Sequence, residues 1–236
     1  MIYLMSDIHG DCQNFRKLVR KAGITDQDRL IIDGDVIDRG PENLAMLDYC
    51  MSHENVTLIL GNHEMFMRMY LDNPAFRADW YRFGGNTTLS ELDRVSTDRM
   101  LKYYNFLREL PLYAEIAADG IDYIVTHTGY YADGDIVYSG NGIIDVRKSI
   151  DRTAKKDLYN LMISTDLYTA PASVRFDKFI IAGHTPVMFE RVFGEEAGPD
   201  ILHRSRYIDL DCGSGWRDKG GRLGCLRLDD GEEWYI

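Results

Sequence analysis

The stretch Arg29-Leu30-Ile31-Ile32-Asp33-Gly34-Asp35-Val36-Ile37-Asp38-Arg39-Gly40 runs an apolar segment into a loop of glycines and carboxylates. Short apolar runs bounded by Gly and Asp read as buried strands. The same pattern recurs on both sides. Ile2-Tyr3-Leu4-Met5 leads into Asp7-Ile8-His9-Gly10, and Val56-Thr57-Leu58-Ile59-Leu60 leads into Gly61-Asn62-His63-Glu64. Amphipathic stretches lie between them. Phe15, Leu18, Val19 and Ala22 fall at i, i+3, i+4 and i+7, one apolar stripe of a helix. Pro41 suits a first helical turn, after which Leu44, Leu47 and Met51 continue a face; another helix is expected from Glu64 to Leu71. Alternation of strand and helix predicts right-handed crossovers and a largely parallel sheet.

Farther along, residues 72–110 are aromatic-rich and read as helical, a cap or insertion rather than a separate domain. Strand character returns at 121–126, ending in Thr126-His127-Thr128-Gly129, and at 178–182, ending in Gly183-His184-Thr185-Pro186. Three more short strands, at 206–210, 222–228 and 233–236, are separated by Gly/Asp turns and suit antiparallel pairing. The expected class is α/β with both pairing types, in one domain over residues 1–236.

Composition narrows the functions. Lys+Arg 27 against Asp+Glu 38 gives a net charge of −11, the wrong sign for a nucleic-acid binder. No apolar run approaches the roughly 18–20 residues of a membrane span, and no signal peptide is visible, so a cytoplasmic chain with no membrane partner is expected. Cys12, Cys50, Cys212 and Cys225 form no C-x-x-C pair and read as reduced thiols, and none opens a Cys-x5-Arg loop. The signatures of P-loop NTPases, serine hydrolases and zincins are absent.

The strand ends carry the chemistry. Five strands deliver Asp/His, Asp, Asn/His, His and His to the loops where α/β sheets assemble their sites. Carboxylate, imidazole and amide oxygen suit Mn²⁺, Fe or Zn²⁺. The candidates are too many for one ion and enough for two if one carboxylate bridges; Asp35 is the expected bridge. Two cations roughly 3.5–4 Å apart can neutralise an anionic substrate and bring the pKa of bound water near 7, and a His paired with a carboxylate can protonate a leaving oxygen.

Asp7-x-His9-Gly10, Gly34-Asp35-x-x-Asp38-Arg39-Gly40, Gly61-Asn62-His63-Glu64, a later His-x-Gly and Gly183-His184-Thr185-Pro186 resemble the phosphoprotein phosphatase family of calcineurin-like metallophosphoesterases, in its compact bacterial and bacteriophage form. The resemblance implies a sandwich of two mixed β-sheets flanked by helices, with a dinuclear site at one edge. It implies Asp7, His9 and Asp35 as ligands of a first metal, and Asp35, Asn62, His127 and His184 as ligands of a second. Mn²⁺ is the expected ion, with Fe or Zn as alternatives. His63 would be the general acid, Asp38 its orienting carboxylate, and Arg39 a phosphate-gripping fork. The expected activity is that of a Ser/Thr-type protein phosphatase, acting on phosphorylated proteins or small phosphate esters. The alternative is a symmetrical dinucleoside tetraphosphate hydrolase. A catalytically dead phosphate-binding module is disfavoured by retention of His63.

Some residues depart from the family pattern. Ser6 and Thr128 stand where small residues are common. The second phosphate-gripping Arg, expected upstream of the last His, has no counterpart in Leu161-Met162-Ile163-Ser164-Thr165-Asp166, leaving Arg147, Arg152 or Arg175 as substitutes. Ile31-Ile32-Asp33-Gly34-Asp35-Val36 also fits the haloacid dehalogenase strand with Asp33 as nucleophile, a reading that leaves the histidines without work.

Overall fold

Two five-stranded sheets lie face to face in the computed structural model, which describes residues 1–130, 135–164 and 166–236. In chain order the strands are β1 (Ile2–Met5), β2 (Arg29–Ile32), β3 (Val56–Leu58), β4 (Ala114–Ala118) and β5 (Ile121–Val125). They continue as β6 (Phe179–Ala182), β7 (Leu202–His203), β8 (Tyr207–Asp209), β9 (Gly224–Arg227) and β10 (Glu233–Tyr235). One sheet has the order β10-β9-β1-β2-β3, the other β4-β5-β6-β8-β7. Each has a parallel centre, β1-β2-β3 in one and β5-β6-β8 in the other, with antiparallel strands added outside.

The alternation of strand side chains explains the layering. Leu4, Ile31, Val125, Ile181, Ile208 and Leu226 point into a core shared by the two sheets. Their neighbours Met5, Leu30, Ile32, Ile124, Ile180 and Cys225 belong to the larger core that includes the helices. The central strands β1, β2, β5 and β6 are therefore apolar on both faces, as parallel strands covered on both sides must be.

The helices are α1 (Cys12–Ala22), α2 (Asn43–Ser52), α3 (Asn62–Asp72), α4 (Arg77–Trp80), α5 (Asn86–Leu92), α6 (Thr97–Arg108), α7 (Val146–Ile163) and α8 (Glu190–Phe193). Residues 72–110 carry α4, α5 and α6, and their Trp80, Leu89, Leu92, Tyr103 and Leu107 are buried in the larger core. Helix α3 begins two residues before the expected Glu64, which places Asn62 and His63 in its first turn. The expected strand 56–60 ends at Leu58 because Leu60 N turns away to donate to Pro111 O at 2.8 Å. Four elements lie outside the expectations: β4, whose Ala-Glu-Ile-Ala-Ala has weak strand propensity, the two-residue β7, the four-residue α8, and α7, broken at Asp157 (φ −156°). All four cysteines are buried and free. Among the described residues no helix is long and apolar enough to cross a membrane.

Candidate metal centre

The loops that follow β1, β2, β3, β5 and β6 converge at one edge of the sandwich, and each strand end contributes polar side chains there. Among the described residues eight non-glycine residues have positive φ, and six are site residues: Asp7, His9, Asp35, Asp38, Arg39 and His184. Such backbone costs of order 1 kcal/mol or more per residue and persists where surrounding structure fixes it. Here the fixing is visible. Asp7 N donates to Gly34 O (3.2 Å), His9 N to Asp35 O (2.9 Å) and Gly10 N to Val36 O (2.8 Å), stitching the β1 and β2 loops together. Gly34 has φ +77°, and a Cβ there would lie 2.7 Å from both Gly61 Cα and His127 Nδ1, so only glycine fits.

The rings are oriented by backbone carbonyls. His9 Nδ1 faces Ile37 O at 3.0 Å and His127 Nδ1 faces Asp33 O at 2.7 Å. Each Nδ1 therefore carries a proton, and each Nε2 is turned toward the centre. His127 Nε2 lies 2.9 Å from Asn62 Oδ1 and 3.3 Å from Asp35 Oδ2, and His184 Nδ1 lies 2.9 Å from the same Asn62 oxygen. Asp35 Oδ2 is also 3.7 Å from His63 Nε2 and 4.0 Å from His9 Nε2, while Oδ1 accepts from His63 N at 3.0 Å. Asp7 Oδ1 is 3.9 Å from His9 Nε2; its Oδ2 accepts from Ser6 Oγ and from His184 N.

Two groups of ligand atoms result, His9–Asp35–His63 and Asp35–His127–His184, each with its atoms within 4.8 Å of one another. Asp35 belongs to both. Carboxylate and amide oxygens gathered with imidazole nitrogens in a buried pocket suit a positive charge between them. The nitrogen and oxygen set, with no thiolate, therefore fits divalent first-row ions. The structure gathers all six expected ligands, and it also brings His63 Nε2 into the first group.

Burial shapes the electrostatics. It raises the Asp7 carboxyl to about 6, with Asp35 adding to the shift. It works to raise Asp35 too, but His127 and His63 overcome it and hold that carboxyl well below the usual range. Burial, then Arg39 and His63, lowers His9; burial, then His127, lowers His184 to about 3. Those two rings are thus neutral, the form that binds metal. His127 is raised despite its burial, because Asp35 and Asp7 face it.

Beside these groups sits a second arrangement. His63 Nδ1 is 2.6 Å from Asp38 Oδ2, which also accepts from Trp80 Nε1 at 2.6 Å. Thr88 Oγ1 donates to Asp38 Oδ1. Arg39 Nη2 lies 3.1 Å from His63 Nε2, Nη1 touches His9 Nε2, and Arg39 N donates to Gly84 O at 3.0 Å. Glu64 props the floor: its carboxylate accepts from Asp35 N (2.7 Å), Val36 N (2.9 Å) and Gly61 N (3.1 Å), and burial followed by Asp35 pushes it up to about 7.

Sequence reasoning missed the supporting residues. Trp80 and Thr88 lie 42 and 50 residues from Asp38 in the chain, and no local pattern announces them. Trp216, whose ring centroid is 5.5 Å from Arg39 Cζ, is farther still along the chain. The three substitutes for a second phosphate-binding Arg are not brought to the site. Arg147 faces Glu115 at 3.5 Å, Arg152 lines a surface cleft with Lys148 and Lys155, and Arg175 lines one at the opposite ends of β5 and β6. Of the stretch searched for that Arg, Thr165 lies outside the described residues.

A model of the calcineurin-like phosphoesterase family matches residues 1–211. A symmetrical bis(5'-nucleosyl)-tetraphosphatase of Buchnera aphidicola is 41% identical over 66 residues, 27% of this chain and 24% of that protein. The chain thus matches about a quarter of the length of the first such curated relatives. The asymmetrical bis(5'-nucleosyl)-tetraphosphatase PrpE of Anoxybacillus flavithermus is 29% identical over 98% of this chain and 92% of its own. A solved chain provisionally named a diadenosine tetraphosphatase superposes with a TM-score of 0.60 at 16% identity, covering 100% of this chain and 92% of that one. At that identity the likeness concerns the fold.

Proposed function

The chain belongs to the calcineurin-like phosphoesterase family, and from that premise we propose a metal-dependent phosphoric ester hydrolase acting on dinucleoside tetraphosphates. The observation that carries the hydrolytic reading is Asp35, common to two nitrogen–oxygen groups and adjacent to a His63–Asp38 pair. Asp7, His9 and Asp35 would hold one divalent ion and Asp35, Asn62, His127 and His184 another, with Mn²⁺ as the proposed occupant and Fe or Zn as alternatives. When bound, such ions supply charge neutralisation and a hydroxide nucleophile near neutral pH.

The chain's own groups do the rest. Arg39 offers two nitrogens of a planar fork to non-bridging phosphoryl oxygens, and its proximity to both His9 and His63 places that phosphoryl group over the centre. His63 Nε2 delivers a proton to the departing oxygen, and Asp38 on Nδ1 fixes the ring. Asp38, in turn, is held by Trp80 and Thr88, so that the pair is aligned before substrate arrives.

Relatives matching nearly the whole chain and about a quarter of it are both named for dinucleoside tetraphosphates, which supports that substrate class over phosphoproteins. The Ser/Thr protein phosphatase type stays as the second reading, favoured by Asp38 in the Gly-Asp-x-x-Asp-Arg motif. Neither reading involves a nucleic acid or a membrane, and four free cysteines suit a cytoplasmic location. Side-by-side assays with Mn²⁺ on diadenosine tetraphosphate, a phosphoserine peptide and p-nitrophenyl phosphate test it. Higher kcat/KM on the dinucleotide is expected. ADP as sole product marks symmetrical cleavage, and ATP with AMP marks asymmetrical cleavage. Faster turnover of the phosphopeptide overturns the first reading in favour of the second.

A further inference from the structure

A polyphosphate chain carries negative charge well beyond the phosphoryl group that reacts, and Arg39 is the one guanidinium found among the site residues described above. The turn Ser214–Lys219 brings up a second cation. It is anchored on the β1 loop, since Ser214 Oγ donates to Ile8 O at 3.3 Å. Gly215 packs so closely that a Cβ would stand 2.5 Å from His9 Cδ2 and 2.8 Å from Arg39 Nη1. The next residue, Trp216, carries two cations on one ring: Arg39 Cζ at 5.5 Å from the centroid and Lys219 Nζ at 4.1 Å. Phe189 buttresses that ring edge-on at 5.8 Å. Such contacts hold a cation near an aromatic face.

The other basic residue of the turn is already engaged. Arg217 pairs with Asp11 and donates to Ile236 O at 3.2 Å. Lys219 is exposed, and among the described residues it makes no ion pair. The Trp216 ring therefore joins a cation inside the site to an unspent cation just outside it. We propose that Lys219, positioned by Trp216, is a second phosphate-binding residue that engages a polyphosphate chain beyond the reacting phosphoryl group. It thereby selects polyphosphate esters over phosphomonoesters. A flexible point charge suits this place better than a rigid fork, because the distal phosphates of an extended chain have no single geometry. The inference rests on the dinucleoside tetraphosphate reading of the same site.

Steady-state kinetics of the Mn²⁺-loaded full chain test it. Lys219→Ala is expected to raise KM for diadenosine tetraphosphate about tenfold with kcat unchanged. Its kinetics on p-nitrophenyl phosphate should stay within about twofold, and Lys219→Arg should recover most of the loss. An unchanged KM for the dinucleotide, or an equal loss on both substrates, overturns the assignment. Should the unmodified chain not cleave the dinucleotide, the substrate reading fails while Lys219 remains testable. ATP and AMP then serve as competitive inhibitors of p-nitrophenyl phosphate hydrolysis, with Mn²⁺ in excess. Lys219→Ala should weaken ATP about tenfold and AMP less than twofold. Equal effects on the two nucleotides, or none, sink the proposal.

Discussion

Asp35 and Asp38 stand three residues apart on one loop, yet different parts of the molecule hold them. Asp35 is set by the sheet edge: Glu64 accepts its N–H, His63 N donates to its carboxylate, and His127 arrives from the other sheet. Asp38 is set by helices: Trp80 at the end of α4 and Thr88 in α5 donate to its two oxygens, and the neighbouring Arg39 N is tied to Gly84 O. Charge concentration is thus a property of the strand ends, whereas alignment of the proposed acid is a property of the helical segment. The two should separate under mutation.

The largest effect is expected where both ligand groups meet. Asp35→Asn removes the one carboxylate common to them, and metal analysis should find fewer than two ions with turnover lower by about 10⁴-fold or more. Two ions retained at full occupancy would remove Asp35 from the bridging position. Next in size is His63→Asn. Loss of a general acid costs roughly 10²–10⁴-fold in kcat, with metal content unchanged. Because His63 Nε2 also falls within the first ligand group, the same metal analysis sharpens the distinction: loss of an ion would make His63 a ligand and refute its role as the acid.

The sheet-edge half was legible in the sequence because each candidate ligand is local to its strand. A short apolar run followed within a few residues by Asp, His or Asn is a one-dimensional pattern, and Asp7, His9, Asp35, Asn62, His127 and His184 all obey it. The helical half was opaque for the opposite reason. Trp80 in a four-residue helix and Thr88 in a seven-residue helix look like ordinary core and surface residues. Their function arises only when the segment 72–110 folds back over Asp38. The same holds for Trp216, which follows a strand with no chemical signature of its own. Strand β4 hid behind alanines, and β7 behind its length of two residues.

Smaller effects probe the helical half. Thr88→Val strips Asp38 Oδ1 of its hydroxyl donor and Asp38 N of an acceptor while keeping the side chain's shape. Outer partners of this kind are worth about 10–100-fold, so kcat should fall within that range with both ions in place. A loss of metal instead would show that the two halves are one unit.

The smallest expected effect lies one step farther out, at Glu91. Helix α2 follows directly on the site loop, and its N-cap Glu42 makes no side-chain capping bond. Glu91 of α5 substitutes: Oε1 accepts from Asn43 N at 2.8 Å and Oε2 from Leu44 N at 2.9 Å. A carboxylate on the first N–H groups of a helix satisfies orphan donors and opposes the helix dipole. Glu91→Gln removes the charge and turns one acceptor into a donor facing an N–H. The cost should be about 1 kcal/mol, a fall in Tm of roughly 2–4 °C for a chain of this size. Because Asp38 keeps Trp80 and Thr88, kcat should stay within about twofold. A tenfold drop in kcat would mean that the acid pair leans on the α2–α5 junction as well, and that alignment is spread over the helical half rather than concentrated in its two direct donors.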